Sequence, residues 1–183
     1  AFTCGSVANL HGQTDGFTIT GQGGIVIITG GSGADIITDG SGNVNDTITG
    51  GAGNDIITIA AGTDIVKDLG GASGTDEDVV VIKTGASLDA VDIIGFTATS
   101  DTKNDSTSAS NATLTAKDAN DVTIDVSKAT GSSGAFKLVG GTGKDTLTGG
   151  AGADIITGGD DIDTIDGGAA NDIITGGAGN DII

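Results

Sequence analysis

A glycine pair followed by the same short pattern recurs every nine residues through both ends of this chain, and that period leaves few folds open. Copies begin at Gly140, Gly149, Gly158, Gly167 and Gly176, with a weaker one, GSSGAFKLV, from Gly131. Toward the N-terminus the same register starts at Gly12, Gly21 and Gly30, passes through an eleven-residue variant, DGSGNVNDTIT from Asp39, and resumes at Gly50 and Ile59. Helix is implausible, because two glycines per copy would cost roughly 2 kcal/mol relative to alanine. The eighth position is Ile19, Ile28, Ile37, Ile48, Ile57 and Val66, then Leu138, Leu147, Ile156, Ile165, Ile174 and Ile183, and it is never polar. Its neighbours are mostly Thr or Ile, so each copy turns on glycine and ends in a short strand whose centre points inward. Repetition at so short a fixed period predicts a solenoid. The two extra residues of the variant copy should bulge outward at one turn.

Composition narrows the chemistry. Of 25 acidic residues only Glu77 is glutamate, and all seven basic residues are lysine. A surface acidic only for solubility would mix the two acids, whereas a short carboxylate inside tight glycine turns suits a hard cation. The formal charge of -18 repels nucleic acid and anionic membrane surfaces, and no arginine is present to fork onto phosphates. No apolar run is long enough to span a membrane as a helix, so membrane insertion is not expected. With 35 glycines at no three-residue period the chain is not collagen-like, and its Ile, Val and Leu argue against plain disorder. The chain starts AFTCG and stops within a repeat at GNDII, which reads as a segment of something longer. Cys4 is alone, which excludes a disulfide scaffold and suits a small buried residue. His11 is the only histidine and reads as a surface residue on a terminal turn. With neither a His-Glu-x-x-His pair nor a nucleophile elbow, the expectation is that the chain is not an enzyme.

The sixth position is Asp35, Asp46, Asp55 and Asp64, then Asp145, Asp154, Asp163, Asp172 and Asp181. Full copies of G-G-x-G-x-D-x-U-x, where U is a large aliphatic residue, stand at Gly30, Gly50, Gly140 and Gly149, with a truncated one at Gly176. This pattern resembles the calcium-binding nonapeptide of RTX proteins. The resemblance implies an all-β chain, a parallel β-roll or β-helix solenoid with two nonapeptides per turn and several Ca2+ ions between glycine turns stacked on the same side. Repeats two apart would then share ions. That sets Asp145, Asp163 and Asp181 on one edge, Asp154 with Asp172 on the other, and in the N-terminal block Asp35 with Asp55 and Asp46 with Asp64. Turn carbonyls would complete the oxygen shell, with Gly31, Gly33, Gly51, Gly53, Gly141, Gly143, Gly150 and Gly152 permitting the φ values that aim them. Asp161 and Ala170 replace the fourth-position glycine in their copies, and Val26 replaces an aspartate, so the copies at Gly12 and Gly21 should continue the roll without strong calcium sites.

These features divide the chain into an N-terminal roll over 1–67, a less regular β-rich segment over 68–130 and a C-terminal calcium-binding roll over 131–183. In the middle, GTDEDVVVIKTG, AVDIIGFTATS, ATLTA and DVTIDVSKA read as strands, and TSDTKNDSTSASN reads as a polar, turn-rich loop. The segment is either an insertion or an irregular continuation of the solenoid. Two N-glycosylation tripeptides, from Asn104 and Asn111, are the kind that arise by chance in a loop rich in Ser and Thr. The stretch VTIDVSKATGSSGAFKLVGGTGKD is similar to the approach to calcium repeats in bacterial S-layer proteins.

Function divides three ways. The leading expectation is a calcium-dependent structural protein of the bacterial cell surface that assembles with copies of itself as an S-layer or extracellular filament. The alternative is the calcium-dependent folding module of an enzyme or toxin exported by type I secretion, and an adhesin or ice-binding module comes third. All three place the chain outside the cell. Position seven favours the first, because Ile27, Ile36, Ile56, Ile65, Ile155, Ile173 and Ile182 would face outward on flat sheets, interleaved with Thr18, Thr47, Thr146 and Thr164.

Overall fold

The computed structural model describes residues 1–70, 76–107, 111–117, 121–132 and 134–183. They form strands and turns without an α-helix, wound into a parallel solenoid. One wall stacks β1 (Phe2–Cys4), β3 (Thr18–Gly21), β5 (Ile36–Thr38), β7 (Ile56–Ile59), β9 (Val79–Ile82) and β12 (Lys103–Asn104). A second wall of nine strands runs through β2 (Val7–Asn9), β4 (Ile27–Thr29), β6 (Thr47–Thr49), β8 (Gly62–Lys67), β10 (Ala86–Ile93), β13 (Ala112–Ala116), β15 (Lys137–Gly141), β17 (Ile155–Gly159) and β19 (Ile173–Gly177). A third, of four strands, is built from β11 (Phe96–Thr97), β14 (Thr123–Asp125), β16 (Thr146–Thr148) and β18 (Thr164–Asp166).

Register follows the repeat. Ile19, Ile37, Ile57 and Val80 stack on the first wall, and Ile28, Ile48, Val66, Ala90, Leu114, Leu138, Ile156 and Ile174 on the second. Most of these side chains are fully buried, and each contributes about 1.5–3 kcal/mol by leaving water. In the last coil Ile174 is half-buried and Ile183 is 72 % exposed. Cys4 is a buried free thiol, while His11 is exposed.

The nine-strand wall crosses the middle of the chain without a break, so 68–130 winds on in the same stack. It is the opposite wall that changes there, from the first sheet to the third. Residues 71–75, 108–110 and 118–120, which include parts of the segments read as GTDEDVVVIKTG and TSDTKNDSTSASN, lie outside the described residues.

The polar stretch after Thr99 is not simply a loop. It contains β12, paired with β9, and it turns Thr102, Asn104 and Ser106 inward, where all three are buried. Polar residues can occupy core positions when every group finds a partner. The Asn104 backbone N–H donates to the Thr130 carbonyl at 2.7 Å, its side-chain amide donates to the Ala135 carbonyl, and its Oδ1 accepts the Ser106 N–H at 2.9 Å. An amide held this way is not offered at the surface as a glycosylation acceptor.

Candidate metal centre

Residues six and eight of a copy share one parity along the strand, so the aspartate points the same way as the core isoleucine but sits where turn meets strand. The structure stacks these aspartates in ladders. The backbone N–H of Asp145 donates to Asp163 Oδ1 at 2.9 Å, and that of Asp163 to Asp181 Oδ1 at 3.1 Å. On the other edge the Asp154 N–H donates to Asp172 Oδ1 at 2.9 Å. In the N-terminal block the Asp35 N–H donates to Asp55 Oδ1 at 2.8 Å and the Asp46 N–H to Asp64 Oδ1 at 2.7 Å. The structure thus brings together each pair expected from repeats two apart.

Where a ladder starts, the sixth position is apolar. Phe17, Val26, Val122 and Phe136 donate their backbone N–H groups to Asp35, Asp46, Asp145 and Asp154 respectively. One rung was not visible in the glycine pattern. Asp78 accepts the Asp55 N–H at 2.8 Å on Oδ1 and the Gly70 N–H at 2.7 Å on Oδ2. The signal was present in Asp78-Val79-Val80-Val81, which keeps the D-x-U-x half of the repeat after the glycine half has gone.

The second carboxylate oxygen sets the chemistry. Oδ2 of Asp55, Asp64, Asp145 and Asp163 is buried with no hydrogen-bond partner. Leaving such an oxygen unsatisfied costs about 1–3 kcal/mol, more when it is charged. A hard cation removes that cost, and the stacked glycine turns present backbone carbonyls beside it, the donor set that calcium takes. Asp35 and Asp154 differ in that their Oδ2 atoms accept the N–H of Gly31 at 3.0 Å and of Gly150 at 2.7 Å. Asp172 and Asp181 are only half-buried.

The glycines serve two purposes, and only one of them is backbone freedom. Gly51, Gly53, Gly141 and Gly143 have φ between 100° and 108°, a region that favours glycine. Asp161 and Ala170 take the same left-handed conformation, at 72° and 80°, which marks them as strained. Gly31, Gly33, Gly150 and Gly152 do not adopt it, contrary to the expectation from the pattern. Crowding explains most of them: a Cβ on Gly33 would meet Asp15 and Gly16 backbone at 2.6 Å, and one on Gly152 would meet Ala135 N at 2.5 Å. The first glycine of each copy has another role. Side chains added at Gly50, Gly140 and Gly158 would lie 2.3–2.5 Å from Oδ2 of Asp55, Asp145 and Asp163, so the missing Cβ is the space in which the carboxylate rests.

Electrostatics agree with an oxygen cage made for a cation. Burial, partly offset by the Asp35 N–H and reinforced by Asp78, Asp35 and Asp76, pushes the Asp55 carboxyl up to about 8. Burial likewise raises Asp145 to about 6, against the Val122 N–H and with the charge of Asp163. Asp46, Asp64, Asp78 and Asp154 are raised for the same first reason.

The family model of the RTX calcium-binding nonapeptide repeat matches four stretches of the chain, residues 18–44, 45–66, 130–165 and 157–183, which together cover more than half of it. No curated protein and no solved structure matches. The ladders, the buried unpartnered oxygens and the matched repeats together show a chain that binds several calcium ions and belongs to the RTX calcium-binding nonapeptide repeat family.

Proposed function

We propose that this chain is a calcium-dependent structural protein of the bacterial cell surface, acting outside the cell by packing against copies of itself rather than by catalysis. The observation that carries this reading is the alignment of outward isoleucines on the flat walls. Ile36 pairs in register with Ile56, which pairs with Val79, on the first wall, and Ile155 pairs with Ile173 on the second. Ile36, Ile56 and Ile173 are 47 %, 40 % and 64 % exposed. On the third wall the corresponding row is Thr123, Thr146 and Thr164. Beside these outward residues the inward ones are aliphatic on all three walls, Ile37 and Ile57, Ile156 and Ile174, and Ile124, Leu147 and Ile165, so the demands of the core do not account for isoleucines in register on two outer faces and threonines on the third. The second wall's outer row is apolar only in part, since Thr47, Asp89, Thr113 and Lys137 stand in it as well. A row of β-branched apolar side chains on a flat sheet can pack against a like surface, and each buried isoleucine would contribute about 1.5–3 kcal/mol.

The double variants Ile36→Thr/Ile56→Thr and Ile155→Thr/Ile173→Thr test this reading. Both should keep the calcium-induced β signal in circular dichroism while forming fewer or smaller assemblies by sedimentation and electron microscopy. A parent chain that stays monomeric in millimolar calcium, or variants that assemble as readily as the parent, would leave the folding and secretion module as the better reading.

A further inference from the structure

The eleven-residue copy holds a carboxylate for which the nonapeptide pattern has no place. Asp39 stands where an ordinary copy has its first glycine, and it is fully buried. One carboxylate oxygen from each of Asp39, Asp46 and Asp64 lies within 4.8 Å of the others, and all three residues are buried. The three side chains are held in place. Asp39 Oδ1 accepts the Gly40 N–H at 2.6 Å, and its Oδ2 accepts the N–H groups of Ala60 at 2.8 Å and Ala61 at 3.3 Å. Asp46 and Asp64 each use Oδ1 on a backbone N–H, from Val26 at 2.8 Å and Asp46 at 2.7 Å. Asp64 is 0 % exposed, and its Oδ2 has no partner. Leu88, in register with Asp64 on the next coil, closes that side with an apolar side chain.

The regular turn is missing on the same coil. The copy from Ile59 reads IAAGTDIVK, so both residues of its opening glycine pair are replaced. Gathering three carboxylates out of water costs several kcal/mol per ion unless a counter-charge is present. Among the described residues no lysine is ion-paired with any of the three.

We propose that Asp39 joins the ladder pair Asp46 and Asp64 as a third carboxylate on one hard divalent cation, calcium when the rest of the roll is loaded, which makes this nonapeptide site tighter than the two-aspartate sites elsewhere in the roll. A carboxylate has about four lone-pair positions, so each of the three keeps capacity for an ion beyond its backbone bonds. Affinity in oxygen sites rises with carboxylate count and rigidity, and this site has both. The inference does not depend on whether the chain self-assembles.

Equilibrium dialysis of the whole chain against calcium tests it, with circular dichroism to confirm folding at saturation. The parent should fill one ion at a free calcium about tenfold lower than the rest, and Asp39→Asn, which keeps an acceptor oxygen for Ala60, should lose that early ion while the later ones stay. Asp101→Asn, on an exposed turn, should change nothing. If Asp39→Asn fails to fold even at saturation, Asp39→Gly, which restores the first residue of an ordinary copy, is read in its place with the same expectation. Substoichiometric Mn2+ gives a second readout, since it should broaden the amide resonances of Gly40, Ala60 and Ala61 before any in the C-terminal roll. Unchanged ion number and filling order in the folded variant, or broadening that begins in the C-terminal roll, would overturn the proposal.

Discussion

The two oxygens of a ladder aspartate do different work. Oδ1 of Asp145 holds the Val122 N–H at 2.9 Å, while its Oδ2 is buried and left for an ion. Removing both in Asp145→Ala should lower calcium-loaded stability by about 1.5–3 kcal/mol for the charged hydrogen bond alone, before the ion is counted. Asp105→Ala is the comparison. Asp105 bonds the Ser132 N–H at 2.8 Å and Lys103 at 3.1 Å, so its loss should loosen one local turn without moving the calcium midpoint of folding. Calcium titrations followed by circular dichroism decide this, and equal midpoint shifts in both variants would mean that the sixth position has no special role in ion binding. The sixth-position aspartates were legible in the sequence because a fixed register marks them. Asp39 was not, because its meaning comes from the coil above it, where Ala60 and Ala61 point their N–H groups at it.

At the scale of the strand and its turn, the ladder makes folding and calcium binding respond oppositely to pH. The carboxyls of Asp55 and Asp145 rise in the folded chain from 3.8 to about 8 and about 6, chiefly through burial. A raised carboxyl stabilises the folded chain most fully below its unfolded value, and that stability is lost as pH climbs through the folded one. Without calcium, the β signal should therefore weaken between about pH 4 and about pH 8. With calcium the order reverses, since the ion needs the charged form: affinity should rise over the same range, and binding should release protons, measurable as a dependence of the calorimetric heat on buffer ionisation enthalpy. Heats that do not depend on the buffer would contradict the burial of these groups.

Strand triplets were the most readable elements, because an aliphatic residue at every eighth position needs no context to be recognised. The middle was harder. Asp78-Val79-Val80-Val81 and Val122-Thr123-Ile124-Asp125 keep the strand half of the repeat, while Thr102, Asn104 and Ser106 turn inward with no apolar signal at all. Inward polar groups are revealed only by their partners, here the carbonyls of Thr130 and Ala135 about thirty residues away. Positive φ accounts for only half of the turn glycines, Gly51, Gly53, Gly141 and Gly143, for a related reason. Crowding between stacked turns depends on the neighbouring coil, and the local pattern contains no information about it.

For the molecule as a whole, the net charge of -18 and the buried unpartnered oxygens predict that folding depends on calcium. In chelator the chain should expand and lose most of its β signal, and calcium at about 10⁻⁴ to 10⁻³ M should restore it. Molar sodium chloride should not, because screening weakens repulsion without supplying a ligand to a buried oxygen. Small-angle scattering beside circular dichroism would check both statements, and a compact chain in chelator would refute the first.

The ladders also run one way along the chain. In each rung the donor N–H comes first in the sequence and the accepting carboxylate follows, 18 residues later for Asp46 with Asp64 and 23 later for Asp55 with Asp78. A ribosome adding about 5–20 residues per second would therefore hold each of these amides waiting for about one to several seconds before its acceptor exists. Throughout synthesis the newest coil is the one whose rungs are still open, so the order of manufacture and the order of closure differ by one full winding.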